Sequence, residues 1–234
     1  MLNCQFKTTD NSLVAFWKME ETEEQLRAMC DLTDEDNNFI ERCSAQKRRI
    51  ELLSVRALLK AVGIHQTIHY NDRKPYLDKG YISISHSANI AAIIYNPDFP
   101  VGIDIEVVAP RIRRIASRAF SETELAAADD DLEKLTILWN CKECVFKLAN
   151  DEGIEFREMI EVDMPSDFSL HDNFIKENPI IHYPLSIANY PLSIVNCPLS
   201  IIHCTLKKSG ITKYFSLSAM KIEGNTVVWG RLEG

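Results

Sequence analysis

One long uncharged stretch, interrupted by prolines at regular intervals, constrains the possible folds of this chain most. The 25 residues from Ile180 to Cys204 contain no Asp, Glu, Lys or Arg, and a membrane-spanning helix needs only roughly 20 residues. A heptad built around Pro-Leu-Ser-Ile occupies residues 183–189, 190–196 and 197–203. A proline at every seventh position removes helical hydrogen bonds and is unfavourable against lipid. The sequence therefore predicts no transmembrane helix here and no membrane partner.

The heptad repeats at 183–203 have two interpretations. Seven residues are too few for the usual solenoid units, and proline within a sheet is confined to edges and bulges. The favoured interpretation is a tandem expansion inside a loop or at the edge of a sheet, since a segment of biased composition need not have a packed role. The alternative is a surface that binds a partner protein.

Composition and charge exclude several classes of protein. With 26 Lys+Arg against 34 Asp+Glu the formal net charge is −8, which argues against a main function in binding nucleic acid or anionic membranes. The 46% hydrophobic content is typical of a globular protein, and 234 residues suffice for one or two domains. Seven scattered cysteines and a first segment without a signal peptide predict a reducing, cytoplasmic location.

The hydrophobic pattern predicts an α+β fold. Apolar residues at three- and four-residue steps predict a helix over 44–62, which Gly63 ends. Further helices are predicted at 111–120, 121–128 and 131–149, and strands at 12–18, 67–70, 82–85, 89–95, 101–108, 213–222 and 226–229. Because helices and strands are mixed without regular alternation, a parallel doubly wound sheet is not expected.

The helix predicted at 44–62 has a basic face in an otherwise acidic protein. The face consists of Lys47, Arg48, Arg49, Arg56 and Lys60. Such a face is either a solvated helix surface or a site for an anionic ligand, and the pattern alone favours neither.

Two acidic residues lie two positions apart in the strand predicted at 101–108. Asp104 and Glu106 project from one face of this strand, while Ile103 and Ile105 anchor the other. Adjacent carboxylates repel each other unless a cation lies between them, and oxygen ligands at this spacing suit Mg²⁺ together with substrate phosphate. An ordinary solvent-facing strand gives the same pattern and is the alternative.

A polar stripe also follows the helix predicted at 131–149. Trp139, Glu143 and Lys147 recur at four-residue steps, with Lys142 beside them. One interpretation is a surface Glu–Lys pair. The other is a third carboxylate for the metal site and two cations for phosphate oxygens.

Cysteines and histidines elsewhere are expected to be structural. Cys141 and Cys144 form a Cys-x-x-Cys, but they occupy the side of the helix away from Glu143 and no second such pair exists to complete a zinc site. His65 and His69 lack a convincing third ligand.

Five short motifs occur in a fixed order. They are Arg-Lys-Pro-Tyr-Leu at 73–77, Ile-Ser-Ile-Ser-His-Ser at 82–87, Val-Gly-Ile-Asp-Ile-Glu at 101–106, Phe-Ser-Glu-Thr-Glu at 120–124 and Trp-Asn-Cys-Lys-Glu-Cys-Val-Phe-Lys at 139–147. With the basic helix they cover about residues 45 to 150. Together they resemble the 4′-phosphopantetheinyl transferase superfamily, in particular its larger single-chain type, which activates surfactin synthetase and other peptide and polyketide synthases.

The resemblance implies a fold and a division of the chain. It implies two similar α/β halves related by a pseudo-twofold axis, with the active site in the cleft between them. The break would fall near Pro100. Residues 1–99 would form the N-terminal half with coenzyme A contacts, and residues 100–234 the C-terminal half with the metal-binding strand and helix, the repeats and a hairpin. Beyond Ala149 the similarity fades.

The resemblance also implies the site residues. Asp104, Glu106 and Glu143 match metal ligands, for Mg²⁺ or alternatively Mn²⁺. Residues matching coenzyme A contacts are Lys142 and Lys147 at the pyrophosphate, Lys74, Ser85 and His86 at other phosphates, and, for the 3′-phosphate, Arg49 as the best match beside Lys47, Arg48 and Arg56. The chain departs from the family pattern at three positions, with Arg73 in place of Gly, Asn140 in place of Ser or Thr, and Cys144 in place of Ala or Ser.

The implied reaction transfers 4′-phosphopantetheine from coenzyme A to a serine of an apo acyl or peptidyl carrier protein and releases 3′,5′-ADP. Glu143 and Lys147 are the predicted catalytic residues. Lys142 and Lys147 would offset charge on the phosphates and the leaving group, and Glu143 would accept the serine proton directly or through a metal-bound water.

Two other functions compete with this one. A different Mg²⁺-dependent phosphoryl-transfer or nucleotide-hydrolysing enzyme would use similar carboxylates, but the sequence lacks a Gly-rich phosphate loop. A non-catalytic coenzyme A- or carrier-binding protein would bind its ligand without modifying a carrier. The sequence leaves open the carrier protein and whether fatty-acid, peptide or polyketide synthesis is served, and the resemblance implies a monomer.

Overall fold

The computed structural model describes residues 1–72, 74–165, 168–170, 181–182, 193–194 and 200–233. These residues form two compact units, the first from residues 1–99 and 180–196 and the second from residues 100–179 and 197–234. Most of the heptad repeats at 183–203, and Arg73 of the first motif, lie outside the described residues. Of the repeat residues that are described, 193–194 pair with residues 6–7, and 200–203 begin the strand Ser200–Lys208, in which Ile202 is fully buried. The end of the third repeat is therefore part of a packed sheet and not a loop, while the partner-binding surface stays a prediction.

The first unit is a mixed, mainly antiparallel sheet with helices packed on one face. Its elements are β1 (Leu2–Lys7), β2 (Leu13–Lys18), α1 (Glu23–Met29), α2 (Asp34–Glu41), α3 (Gln46–Ala61), β3 (His69–Asn71), β4 (Lys74–Tyr76), β5 (Tyr81–Ser87), β6 (Ile90–Asn96), β9 (Ile181–His182) and β10 (Ser193–Ile194). The described strands follow the order β5-β6-β2-β1-β10-β9, and β3 pairs with β4 as a separate hairpin. Strand β10 runs parallel to β1.

Helix α3 supplies the apolar face that covers this sheet. Leu53 and Leu58 are fully buried and pack in one cluster with Ala15, Ala91 and Ile93 of the central strands. Leu53, Ala57 and Ala61 follow each other at four-residue steps and lie on one side of the helix, which is the periodicity that predicted it. The predicted helix at 44–62 is confirmed, with observed bounds Gln46–Ala61.

The second unit is also an antiparallel sheet with helices on one face. Its elements are β7 (Val101–Val107), a 3₁₀ turn (Pro110–Ile112), α4 (Arg113–Ala119), α5 (Glu122–Ala128), α6 (Leu132–Ala149), α7 (Phe156–Met159), β8 (Ile160–Asp163), β11 (Ser200–Lys208), β12 (Ile211–Ile222) and β13 (Asn225–Leu232). The described strands follow the order β7-β13-β12-β11-β8. Each neighbouring pair is antiparallel.

Helix α6 lies unusually close to β7 because Gly102 has no side chain. A Cβ atom at Gly102 would lie 2.7 Å from Cγ of Leu148 and 2.9 Å from the carbonyl oxygen of Cys144. Successive strand residues alternate between faces, so Asp104 and Glu106 share the helix-facing side with Gly102. The close approach thus brings the two carboxylates of β7 to the polar stripe of α6.

The mixture of helices and antiparallel sheets confirms the predicted α+β class. In the described residues no helix has both the length and the apolar character needed to cross a membrane. The sequence reasoning missed α2, whose eight residues contain only two apolar side chains. Its start is fixed instead by a capping box between Thr33 and Asp36.

Candidate functional site

The site in the second unit is centred on the carboxylate of Asp104. Asp104 is 5% exposed, and both of its oxygens accept hydrogen bonds from α6. Lys147 Nζ donates to Oδ1 at 2.8 Å and to the carbonyl oxygen of Ile103 at 2.9 Å. Asn140 Nδ2 donates to Oδ2 at 2.9 Å. A buried carboxylate is costly unless such partners satisfy it, so these contacts fix where Asp104 lies.

Glu106 lies two residues farther along β7 and has a different partner. Its Oε2 accepts from Arg111 Nη2 at 2.5 Å, at the start of the 3₁₀ turn. Burial raises the pKa of Glu106, as does the charge of Asp104, while Arg111 and Lys147 act in the opposite direction. Asp104 and Glu106 are therefore electrostatically coupled, as their shared strand face predicts.

Glu143, on α6, is the third carboxylate. The charges of Asp104, Glu106 and Lys147 act on it. Burial raises the pKa of Glu143 to about 7, and the charges of Asp104 and Glu106 add to this rise, against the opposing effect of Lys147. The coupling shows that the three predicted carboxylates lie within one electrostatic neighbourhood. Within the described part of the chain, Glu143 has no hydrogen-bonded or ion-paired side-chain partner, whereas Asp104 and Glu106 both have one.

The three carboxylates provide oxygen donors for the predicted divalent cation, although they do not form a closed metal site. Among the described residues, no group of three or more His, Cys, Asp or Glu side chains is placed so as to hold a metal ion. Cationic side chains contact two of the three carboxylates. The donor chemistry nevertheless fits Mg²⁺, because the charges of Asp104 and Glu106 raise the pKa of Glu143, the charge of Asp104 raises the pKa of Glu106, and a hard cation would relieve that repulsion.

Lys142 lies away from this group, although it precedes Glu143 in sequence. Its side chain is 0% exposed, and Nζ contacts Glu124 Oε2 at 2.8 Å. The ammonium also donates to the carbonyl oxygens of Phe156 and Ile160 at 2.9 and 2.6 Å. Glu124 in turn accepts from the backbone of Ser121 and Val162. The structure therefore gives Lys142 a buried ion pair that joins α5, α6 and the start of β8, rather than a place beside Asp104.

The predicted coenzyme A contacts of the first unit lie on several elements. Arg49, in the first turn of α3, donates to Glu23 at 3.0 and 3.1 Å and to the carbonyl oxygens of Cys43 and Ser44. Lys74 begins β4 and is exposed. Ser85 and His86 are consecutive residues of β5, so their side chains project from opposite faces of the sheet.

Sequence reasoning missed several residues that complete the second-unit site. Asn140 was noted only as a departure from the family pattern, yet it shares a helix stripe with Glu143 and Lys147 at spacings of three and seven, which is a detectable signal. Thr226 donates to Asn140 at 2.7 Å from a strand 86 residues away in sequence. No local pattern indicates such a contact.

Comparison with models of protein families matches residues 100–195 to the 4′-phosphopantetheinyl transferase superfamily. No curated protein sequence matches the chain. The matched range includes Asp104, Glu106, Glu143 and Lys147. The match supports a transferase and suggests phosphopantetheine transfer. It continues to residue 195, so the expectation that the similarity fades beyond Ala149 is wrong.

The raised pKa of Glu143 predicts a pH-dependent change in stability. A carboxyl group whose pKa rises on folding stabilises the fold fully below its unfolded value, here 4.5, and that contribution is lost as the pH rises through about 7. In metal-free buffer with EDTA, Glu143→Gln should therefore raise the free energy of unfolding by about 1–3 kcal/mol at pH 8. Urea denaturation should show no such gain at pH 4.5.

The matched control is Glu161→Gln, because Glu161 is an exposed carboxylate of β8. It should change stability little at either pH. A Glu143→Gln protein less stable than the native chain at pH 8 would contradict the assigned electrostatic coupling.

The buried position of Lys142 predicts a structural effect of its removal. Lys142→Met leaves the Glu124 charge buried without a cation and should lower the free energy of unfolding by about 3–5 kcal/mol. Adding Glu124→Gln removes the orphaned charge and should recover part of that loss in the same denaturation experiment. Unchanged stability with a raised KM for coenzyme A would instead support the phosphate contact implied by the resemblance.

Proposed function

We propose that this chain transfers 4′-phosphopantetheine from coenzyme A to a serine of an apo acyl or peptidyl carrier protein, with Asp104, Glu106 and Glu143 holding Mg²⁺. The observation that carries the proposal is the coupling of these three carboxylates beside Lys147 on β7 and α6, inside the residues matched to the transferase superfamily. Mn²⁺ is the alternative ion.

The proposed reaction exchanges one phosphorus–oxygen bond for another. The serine Oγ attacks the phosphorus that carries the pantetheine group, and the bond from this phosphorus to the bridging pyrophosphate oxygen breaks. The products are the phosphopantetheinyl serine and 3′,5′-ADP. When bound, Mg²⁺ would offset the negative charge on the phosphate oxygens.

Two side chains of the second unit supply charge neutralisation and proton acceptance. Lys147 is the cation of this group, held by Asp104 and Ile103, and it offsets charge that develops on the leaving 3′,5′-ADP. Glu143 accepts the proton of the serine hydroxyl. In the described residues the other two carboxylates have cationic partners, which supports Glu143 in that role.

The proposal keeps a narrower set of coenzyme A contacts than the resemblance implies. Lys147 serves the pyrophosphate, while Lys74, Ser85, His86 and Arg49 are retained for other phosphates. Lys142 is left out, because a fully buried ammonium with three oxygen partners is already neutralised and saturated. The larger single-chain type, with two similar halves and a monomeric state, is part of the proposal.

Intact-mass spectrometry tests the proposal. A purified apo carrier protein is incubated with this protein, coenzyme A and Mg²⁺, and it should gain the mass of one phosphopantetheine group. EDTA should abolish the gain. Asp104→Asn should reduce the rate at least 100-fold, since losing a metal-ligand charge removes stabilisation that develops in the transition state.

Asp130→Asn provides the matched control, because Asp130 is an exposed carboxylate paired with Arg113. It should leave the rate unchanged. If acyl, peptidyl and polyketide carriers all remain unmodified while coenzyme A still binds, the chain is a non-catalytic binding protein. Coenzyme A breakdown without any carrier would show a different phosphoryl-transfer enzyme.

A further inference from the structure

We propose that Asn140 and Thr226 form a hydrogen-bond relay that orients the Asp104 carboxylate for a divalent cation, which makes both of them positioning residues of the site. The inference rests on the proposed function, because it takes Asp104 as a metal ligand. It extends the site to β13, which lies outside the residues matched to the superfamily.

The relay is a continuous chain of two short hydrogen bonds. Thr226 Oγ1 donates to Asn140 Oδ1 at 2.7 Å, and Asn140 Nδ2 donates to Asp104 Oδ2 at 2.9 Å. Asn140 and Thr226 are both 0% exposed. Water cannot replace a lost partner at such a position, so breaking either bond leaves an unsatisfied polar group.

The chemistry of the three groups permits one orientation of the relay. An ionised carboxylate only accepts hydrogen bonds, so the NH₂ group of Asn140 must face Asp104 and its oxygen must face Thr226. The Thr226 hydroxyl supplies the donor that this oxygen requires. The other acceptor near that hydroxyl is the carbonyl oxygen of Glu106 at 3.4 Å, which is a long and weak contact.

The relay acts on Oδ2 of Asp104, while Lys147 donates to Oδ1. The carboxylate plane is therefore fixed from two sides. Partners of this kind hold metal ligands in their binding orientation, and their loss typically weakens metal affinity about 10–100-fold. A purely structural network would alter stability and leave metal affinity unchanged.

The sheet register explains why Thr226 can reach this position. Thr226 lies directly opposite Glu106 in the β13–β7 ladder, and Val228 lies opposite Asp104. Thr226 therefore shares the helix-facing side of the sheet with both carboxylates. Through Asn140 the relay joins β13, α6 and β7 at the site.

Mn²⁺ binding in the presence of coenzyme A tests the relay without relying on turnover. The probe is the electron paramagnetic resonance signal of free Mn²⁺, measured on the full chain. Thr226→Val, which removes the hydroxyl and keeps the shape, should weaken Mn²⁺ binding about tenfold. Thr226→Ser keeps the hydroxyl and should bind like the native chain.

Thr136→Val is the matched control for a buried hydroxyl. Thr136 is 2% exposed, lies one turn before Asn140 in α6, and donates to the carbonyl oxygen of Leu132 at 2.6 Å. Its replacement should leave Mn²⁺ affinity unchanged. Equal affinity of the native and Thr226→Val proteins would overturn the relay while leaving the proposed transferase intact.

A second variant keeps the test decisive if Thr226→Val does not fold. Asn140→Ala should weaken Mn²⁺ binding at least as much, because it removes the donor that contacts Asp104 directly. Native Mn²⁺ affinity in Asn140→Ala overturns the relay. A native protein that neither binds Mn²⁺ nor modifies a carrier overturns the proposed function and the relay together.

Discussion

The close packing of α6 on β7 is the constraint on which the second-unit site depends. Gly102 permits this approach, and two residues later Asp104 meets Lys147 and Asn140. A buried carboxylate is tolerated only where donors of this kind replace water. The hydrogen bonds that Lys147 and Asn140 donate to Asp104 therefore position the site and also stabilise the second unit.

Two lysines of α6 show that one helix contributes both to the stability of the second unit and to its candidate site. Lys142 and Lys147 are five residues apart, which places them about 140° apart around the helix axis. Lys142 is enclosed with Glu124 and two backbone carbonyls, whereas Lys147 remains partly exposed beside Asp104. One cation thus holds α5, α6 and β8 together, and the other lies at the carboxylates of the proposed metal site.

The sequence predicted what depends on local periodicity. The bounds of α3 and α6, the shared face of Asp104 and Glu106, and the stripe of Glu143 and Lys147 all follow from helix and strand spacing. The role of Lys142 could not be predicted, since its partner Glu124 and the carbonyl acceptors come from other elements. Thr226 reaches the site only through the pairing of β13 with β7, which no single segment encodes.

Anomalous diffraction from crystals grown with Mn²⁺ and coenzyme A would test the central claim most directly, because it locates the ion independently of activity. We expect one anomalous peak within coordination distance of the Asp104, Glu106 and Glu143 carboxylates, with a coenzyme A phosphate oxygen completing the site. Coenzyme A bound with Mn²⁺ at other residues, or without any ion near these three carboxylates, would contradict the proposed metal site.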